Sequence, residues 1–218
     1  MSRTRSPIGG FVHDPTPTTE IERVEATFAP LTDAVRDLVD ATIRTTVPDE
    51  EVQRAAADVA AIVERLRARQ LPGPAGVRYN DEGRAWNWGN AAVGRRNAVA
   101  PPLELVWDDD GLVHADLTLG AAYEGPPGLV HGGVSALLLD HIMGETASHR
   151  HTRTTFTGTL TMRYVRGTPL GPIRLEARID GTEGRKVFVV ASVMDADGPT
   201  VEAHGVFIEP RWAAALGG

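Results

Sequence analysis

The chain has 218 residues, 42% of them hydrophobic and 23% charged, which suits one domain with an appendage, or two small ones, around a real core. Lys and Arg number 22 against 29 Asp and Glu, a net charge of −7; this argues against a polyanion-binding surface while leaving room for a local basic patch. Cysteine is absent, and with it disulfide frameworks, thiolate metal sites, iron–sulfur clusters and cysteine nucleophiles.

In chain order, Met1-Ser2-Arg3-Thr4-Arg5 leads into Pro7, Gly9 and Gly10 rather than into an apolar signal core. No apolar run approaches the ~20 residues a membrane helix needs. A cytoplasmic protein with no membrane span and no nucleic-acid partner is expected. Residues 1–17 read as a flexible arm. Ile21, Val24 and Phe28, then, after an interruption at Pro30, Leu31, Val35 and Leu38, recur at helical spacing. Thr46 with Asp49 three residues on predicts a second helix start. Val52, Ala56, Val59, Ile62 and Leu66 give that helix one apolar face, and it stops before Pro72. Residues 18–71 are therefore expected to form a helical hairpin that lids a binding tunnel or adds contacts between chains.

Strand and turn patterns take over from residue 75. Leu103 to Trp107 and Leu112 to Leu119 predict two strands. The run Asp108-Asp109-Asp110-Gly111 between them is a turn, since a calcium loop needs acidic residues at alternate positions and a closing Glu. A Gly/Pro-rich loop follows at 124–128, then one apolar helical segment from Gly133 to about Ala147. Four strands come next, around 160–165, 173–179, 187–194 and 201–208, the third apolar on both faces as a central strand would be. The expectation is an α+β domain over 75–210, an antiparallel sheet with one face packed on a helix, and a tail over 211–218.

The helix segment carries the chemistry. Three consecutive leucines, Leu137 to Leu139, predict burial nearly all round. Asp140 is then costly unless it is paired, hydrogen-bonded or facing a cavity. Gly132 and Gly133 allow close approach of a ligand, and the unpaired N–H groups of a helix start suit a developing oxyanion. Gly133 and Asp140 lie on one face, seven residues or ~10 Å apart. That is too far to serve one small reacting group, so if both act they come from different chains. The plainer readings carry weight: a single buried Asp is as often structural, a Gly-Gly pair is usually a turn, and His131 is more often a structural histidine than a base. Ser135 lies outside a Gly-x-Ser-x-Gly elbow. His149 and His151 lack a third ligand, so no metal is expected. Phosphate-loop and dinucleotide glycine motifs are absent.

Tyr123-Glu124-Gly125-Pro126-Pro127-Gly128-Leu129-Val130-His131-Gly132-Gly133, followed by Asp140, resembles the hotdog-fold acyl-CoA thioesterases of the phenylacetate-pathway and mammalian Them type. So do Thr157-Gly158-Thr159-Leu160-Thr161-Met162-Arg163-Tyr164 and Glu183-Gly184-Arg185-Lys186. The resemblance runs from about Arg95 to Ile208 and leaves out the helices before Pro72. It implies a hotdog fold, a sheet wrapped around a long central helix, with two copies paired edge to edge and a thioester bound between them. By this resemblance Gly133 gives its N–H to the thioester oxygen, with Gly132 beside it and His131 positioning the group. Asp140 of the partner chain attacks or activates a water. Thr157 assists, with Thr155 and Thr159 as alternatives because of one extra residue after Asp140. Arg185 and Lys186, with Tyr164, are the candidate binders of coenzyme A; without the resemblance the two cations would read as a solvated hairpin end. The implied activity is hydrolysis of a medium- to long-chain or aryl acyl-CoA, a step in fatty acid metabolism. It needs no cofactor beyond the coenzyme A of its substrate, and the assembly is a homodimer or a tetramer. A non-catalytic acyl-CoA-binding protein is the alternative, which the presence of Asp140 disfavours. A hydratase is a third, and its Asp/His motif is missing.

Overall fold

Phe11–His13 (β1), Val77–Tyr79 (β2) and Ala85–Trp86 (β3) form a small sheet, β1 parallel to β2 and β2 antiparallel to β3, in a computed structural model that describes residues 11–101, 103–150 and 152–211. Part of the expected arm is thus a strand, while residues 1–10 and the expected tail 212–218 lie outside the described residues. Polar contacts hold this sheet where apolar periodicity is too short to do so. Arg78 Nη1 donates to Asp14 Oδ2 at 2.6 Å, and the buried Asn80 donates through Nδ2 to Thr16 O at 3.0 Å. Residues 77–86 therefore belong with the N-terminal part. The chain divides into two compact units, the first ending at Ala100 and the second beginning at Pro101, so the second starts later than the composition change at 75.

Thr18–Arg44 (α1) and Asp49–Arg67 (α2) are the helices of the first unit. Pro30 sits inside α1 without ending it. Proline deletes one intrahelical hydrogen bond, but α1 is anchored on either side, by buried Ile21 and by Thr32, whose hydroxyl reaches Arg95 O at 3.1 Å. Arg96 lies between the Phe28 and Trp88 rings, 3.6 and 3.4 Å from their centroids, and burial pushes its pKa down. The second helix starts behind Pro48 rather than at Thr46. Among the described residues α1 and α2 do not pack along each other, and α2 buries no residue. They are consecutive helices, and the expected hairpin is corrected accordingly.

The second unit is built on a six-stranded antiparallel sheet of Val106–Trp107 (β4), Val113–Leu119 (β5), Phe156–Tyr164 (β6), Gly171–Glu183 (β7), Lys186–Asp195 (β8) and Gly198–Ile208 (β9). The strand order is β4-β5-β7-β8-β9-β6. The strand expected from Leu103 begins only at Val106, and the Asp108–Gly111 turn joins β4 to β5 with Gly111 at φ 85°. The doubly apolar β8 is central, between β7 and β9. Gly132–Ser148 (α3) packs across β5 to β9, the arrangement the hotdog fold implies.

Alternation at period two turns Val113, Ala115 and Leu117 of β5, Ile173, Leu175 and Ala177 of β7, and Val187, Val189 and Val193 of β8 inward, where all are buried. Opposite them Ser135, Leu138, Leu139, Ile142, Met143, Thr146 and Ala147 form one buried stripe of α3. Each large side chain in that stripe contributes about 1.5–3 kcal/mol by leaving water. The other side of α3 is not covered: Leu137 is 37% exposed, and Asp140 is half-buried beside it. Burial in a single chain is one-sided, contrary to the reading of the leucine triplet.

At the end of β8, Arg166 makes a bidentate pair with Asp195, and its Nη2 also donates to Gly198 O at 2.9 Å. The guanidinium's hydrogen bonds hold the Asp195 carboxyl down at about 2, against an ordinary value of 3.8. A depressed folded-state pKa contributes stability above the unfolded value and loses it as pH falls through the folded one. Asp195→Asn is therefore expected to lower the melting temperature at pH 7. The difference from wild type should shrink between pH 3.8 and 2, as thermal melts across that range would record.

Candidate active site

The start of α3 is delivered by a loop bonded to itself and to Thr168, beyond the end of β6. His131 N–H donates to Tyr123 O at 2.9 Å, Gly125 N–H to Leu129 O at 2.9 Å, and Val130 N–H to Thr168 O at 2.8 Å. Glu124 Oε1 accepts from Gly128 N–H at 2.7 Å. A Cβ on Gly125 would lie 2.7 Å from His131 Cα, so glycine is what lets the loop close against the helix cap. The sequence displays this residue in its Gly-Pro-Pro-Gly loop without indicating that role.

His131 caps α3, and its Nδ1 accepts the Gly133 N–H at 2.9 Å. An accepting Nδ1 is unprotonated, which leaves the ring proton on Nε2. The Gly133 N–H, which the resemblance gives to a thioester oxygen, is thus taken by His131 in this structure. Gly132 N–H makes no hydrogen bond among the described residues. The open donor at the positive end of the helix is therefore Gly132. Tyr164 closes over it: its hydroxyl donates to Gly132 O at 2.9 Å, and a Cβ on Gly132 would come within 3.2 Å of the ring.

Asp140 lies eight residues further along α3, about 12 Å at 1.5 Å per residue. Thr157 Oγ1 donates to its Oδ1 at 2.8 Å. The pairing of β6 with β9 slips by one residue between Thr157 and Thr159. A bulge of this kind re-aims side chains, and here it sits at Gly158, next to the threonine that meets the carboxylate. Of the three candidate threonines, Thr157 is the one brought to Asp140, while the buried Thr155 hydroxyl has no hydrogen-bond partner among the described residues.

Arg185 and Lys186 are brought to the Thr157 end of the sheet. Lys186 pairs with Ile208, which pairs in turn with Phe156; at ~4.8 Å per strand the cation is about 10 Å across from β6. Arg185 Nη1 already donates to Glu209 O at 2.7 Å. Tyr164 is at the opposite end of β6, paired with Val201, so it is not grouped with the two cations. His149 stacks edge-on against Trp107 at 6.4 Å, and His151 lies outside the described residues. Among the described residues no group of three or more His, Asp or Glu could hold a metal ion, and no helix is long and apolar enough to cross a membrane.

One chain thus carries two candidate half-sites: an open N–H at the start of α3, and a threonine-bonded carboxylate further along the same helix. The thioesterase superfamily pattern matches residues 127–202, which include both the start of α3 and Thr157. Acyl-coenzyme A thioesterase THEM4 of Bos taurus is 32% identical over 93 residues, covering 41% of this chain and 38% of its own. THEM4 of Xenopus laevis is 33% identical over 93 residues, covering 41% of each chain. The chain therefore spans about two fifths of the length of these curated relatives. A crystal structure of a thioesterase superfamily protein matches 92% of this chain and 96% of its own, at 34% identity and a TM-score of 0.72. With nearly the whole chain inside that match, the chain belongs to the thioesterase superfamily.

Proposed function

We propose that the protein hydrolyses the thioester of an acyl-CoA, with a medium- to long-chain or aryl acyl group, at a site shared between two copies of the chain. The observation that carries this reading is the separation of the two half-sites, too great for one chain to apply both to one carbonyl. The exposed side of α3 and the edge strand β6 support a shared site. Phe156 and Tyr164 on β6 are 40% and 54% exposed, and an unpaired edge of nine residues is suited to adding a strand from a second copy. A two-fold axis at that edge makes two equivalent sites. The names of the curated relatives support acyl-CoA as the substrate class.

In this mechanism the thioester oxygen accepts the Gly132 N–H, and the α3 dipole stabilises the charge that develops on it. Asp140 of the other copy takes a proton from a water that attacks the carbonyl carbon, or attacks that carbon itself. The carbon–sulfur bond then breaks: on the water route this gives the free acid directly, and on the attack route it leaves a mixed anhydride with Asp140 that a water cleaves to the free acid and the carboxylate. On either route the proton lost by the water goes to the departing sulfur, which leaves as coenzyme A. Thr157 holds Oδ1 and leaves Oδ2 for the reacting atom. Gly133 and His131 act one step back, fixing the helix start. Arg185 and Lys186 offer positive charge to the phosphates of coenzyme A, and Tyr164 shapes the entrance beside Gly132.

Thr157→Val keeps the side-chain shape and loses the hydroxyl. A hydrogen bond to a charged group is worth about 1.5–3 kcal/mol, so kcat is expected to fall roughly 10- to 100-fold with KM little changed. The reading as a whole is tested by following free coenzyme A release from acetyl- to palmitoyl-CoA and from an aryl acyl-CoA. Turnover on any of these supports hydrolysis. Tight acyl-CoA binding with no release of coenzyme A would make the protein a binder instead.

A further inference from the structure

The helix α2, like the later part of α1 with its exposed Val35, Leu38, Val39 and Ile43, carries apolar residues that this chain does not cover. It is 19 residues long with one apolar stripe, yet it buries none of its residues and does not pack on α1. Val52, Ile62 and Leu66 are 46%, 38% and 50% exposed. Helices of globular proteins take most of their stability from burying such a stripe, so this one lacks its partner. The stripe is centred on Val59: Ala56 and Ile62 lie three residues to either side, Ala55 and Val63 four, and Val52 and Leu66 seven.

Charge selects the partner. The first turn of α2 is acidic, with Asp49, Glu50 and Glu51, and its last turn is basic, with Arg65 and Arg67. Arg69 follows. The helix dipole accounts for which end carries which sign, but the result is a helix whose two ends attract each other in an antiparallel pair. In a parallel pair like charges would stack at both ends. Only Asp58, beside the centre, would meet its own copy.

We propose that α2 is a self-association element, pairing antiparallel with α2 of a second copy of this chain about a two-fold axis near Val59. Each acidic first turn then lies beside the basic last turn of the other helix, and Val52 faces Leu66 across the seam. This contact is isologous, as homodimeric contacts are, and it stands independently of the proposed chemistry.

The absence of cysteine makes the test clean. Val59→Cys and Val52→Cys are made separately in the full chain and oxidised mildly in dilute solution, and the products are run without reductant. Disulfides need Cα atoms about 4.4–6.8 Å apart. Position 59 meets itself at the axis, whereas the two copies of position 52 lie about 21 Å apart along the helices. V59C is expected to give a covalent dimer at a rate independent of protein concentration, and V52C to stay monomeric; V52C/L66C together should cross-link. No cross-linking of V59C above the V52C level would overturn the proposal, as would V52C cross-linking as fast as V59C.

Discussion

Asp140→Asn is expected to lower kcat for acyl-CoA hydrolysis by about 10²- to 10⁴-fold, the contribution of a positioned carboxylate base, while acyl-CoA affinity is kept. Asn has the same shape and can still accept the Thr157 hydroxyl, so the half-site keeps its geometry. What it cannot do is take a proton from water or attack a carbonyl. The substitution also spares the core, because Asp140 lies on the side of α3 away from the buried stripe of Leu138, Leu139, Ile142 and Met143. A kcat measurement combined with acyl-CoA binding separates the outcomes: loss of rate with binding intact assigns the carboxylate, and an unchanged rate removes it from the mechanism.

Gly132→Pro deletes the proposed oxyanion donor and is expected to cost about 10²- to 10³-fold in kcat, the usual effect of removing one such donor. Folding should tolerate it. Gly132 is the first residue of α3, where proline is favoured because its missing N–H has no partner in the helix. His131, at φ −60° and ψ 130°, already has the extended conformation required before proline. Of proline's three ring carbons the Cβ would crowd Tyr164, which is exposed enough to move aside. Gly132→Ala adds the same carbon and keeps the N–H, so it should retain most of the rate. Equal losses in the two variants would trace the effect to crowding rather than to the donor.

Local periodicity made most of the second unit legible. The alternation in β6 and β7, the doubly apolar run of β8 and the apolar run of α3 each stood out in the sequence, as did Asp140 against its apolar neighbours. Three features lay beyond that reach. Positions 155, 157 and 159 share one face at period two, so alternation could not choose among the threonines; the choice depends on the bulge at Gly158, which is a property of pairing with β9. Whether Gly132 or Gly133 keeps a free N–H depends on where the His131 ring turns, a tertiary outcome with no counterpart in residue spacing. The apolar character of Leu137 is the same whether the sheet or another chain covers it, so composition overstated how much of α3 a single chain buries. In the first unit, β1 to β3 are two or three residues long, too short for any periodic signal. They depend on polar contacts between residues more than 60 positions apart, such as Arg78 with Asp14.

The most direct test of a site built from two chains is complementation between inactive variants. Asp140→Asn and Gly132→Pro chains are co-expressed, and coenzyme A release is compared with that of each variant alone. In a mixed dimer one of the two sites combines the intact Gly132 of one chain with the intact Asp140 of the other. Statistical pairing then restores about a quarter of the wild-type rate. If Gly132 and Asp140 of the same chain served one thioester, every site would carry a defect, and the mixture would be no more active than its parents; that result would contradict the shared site.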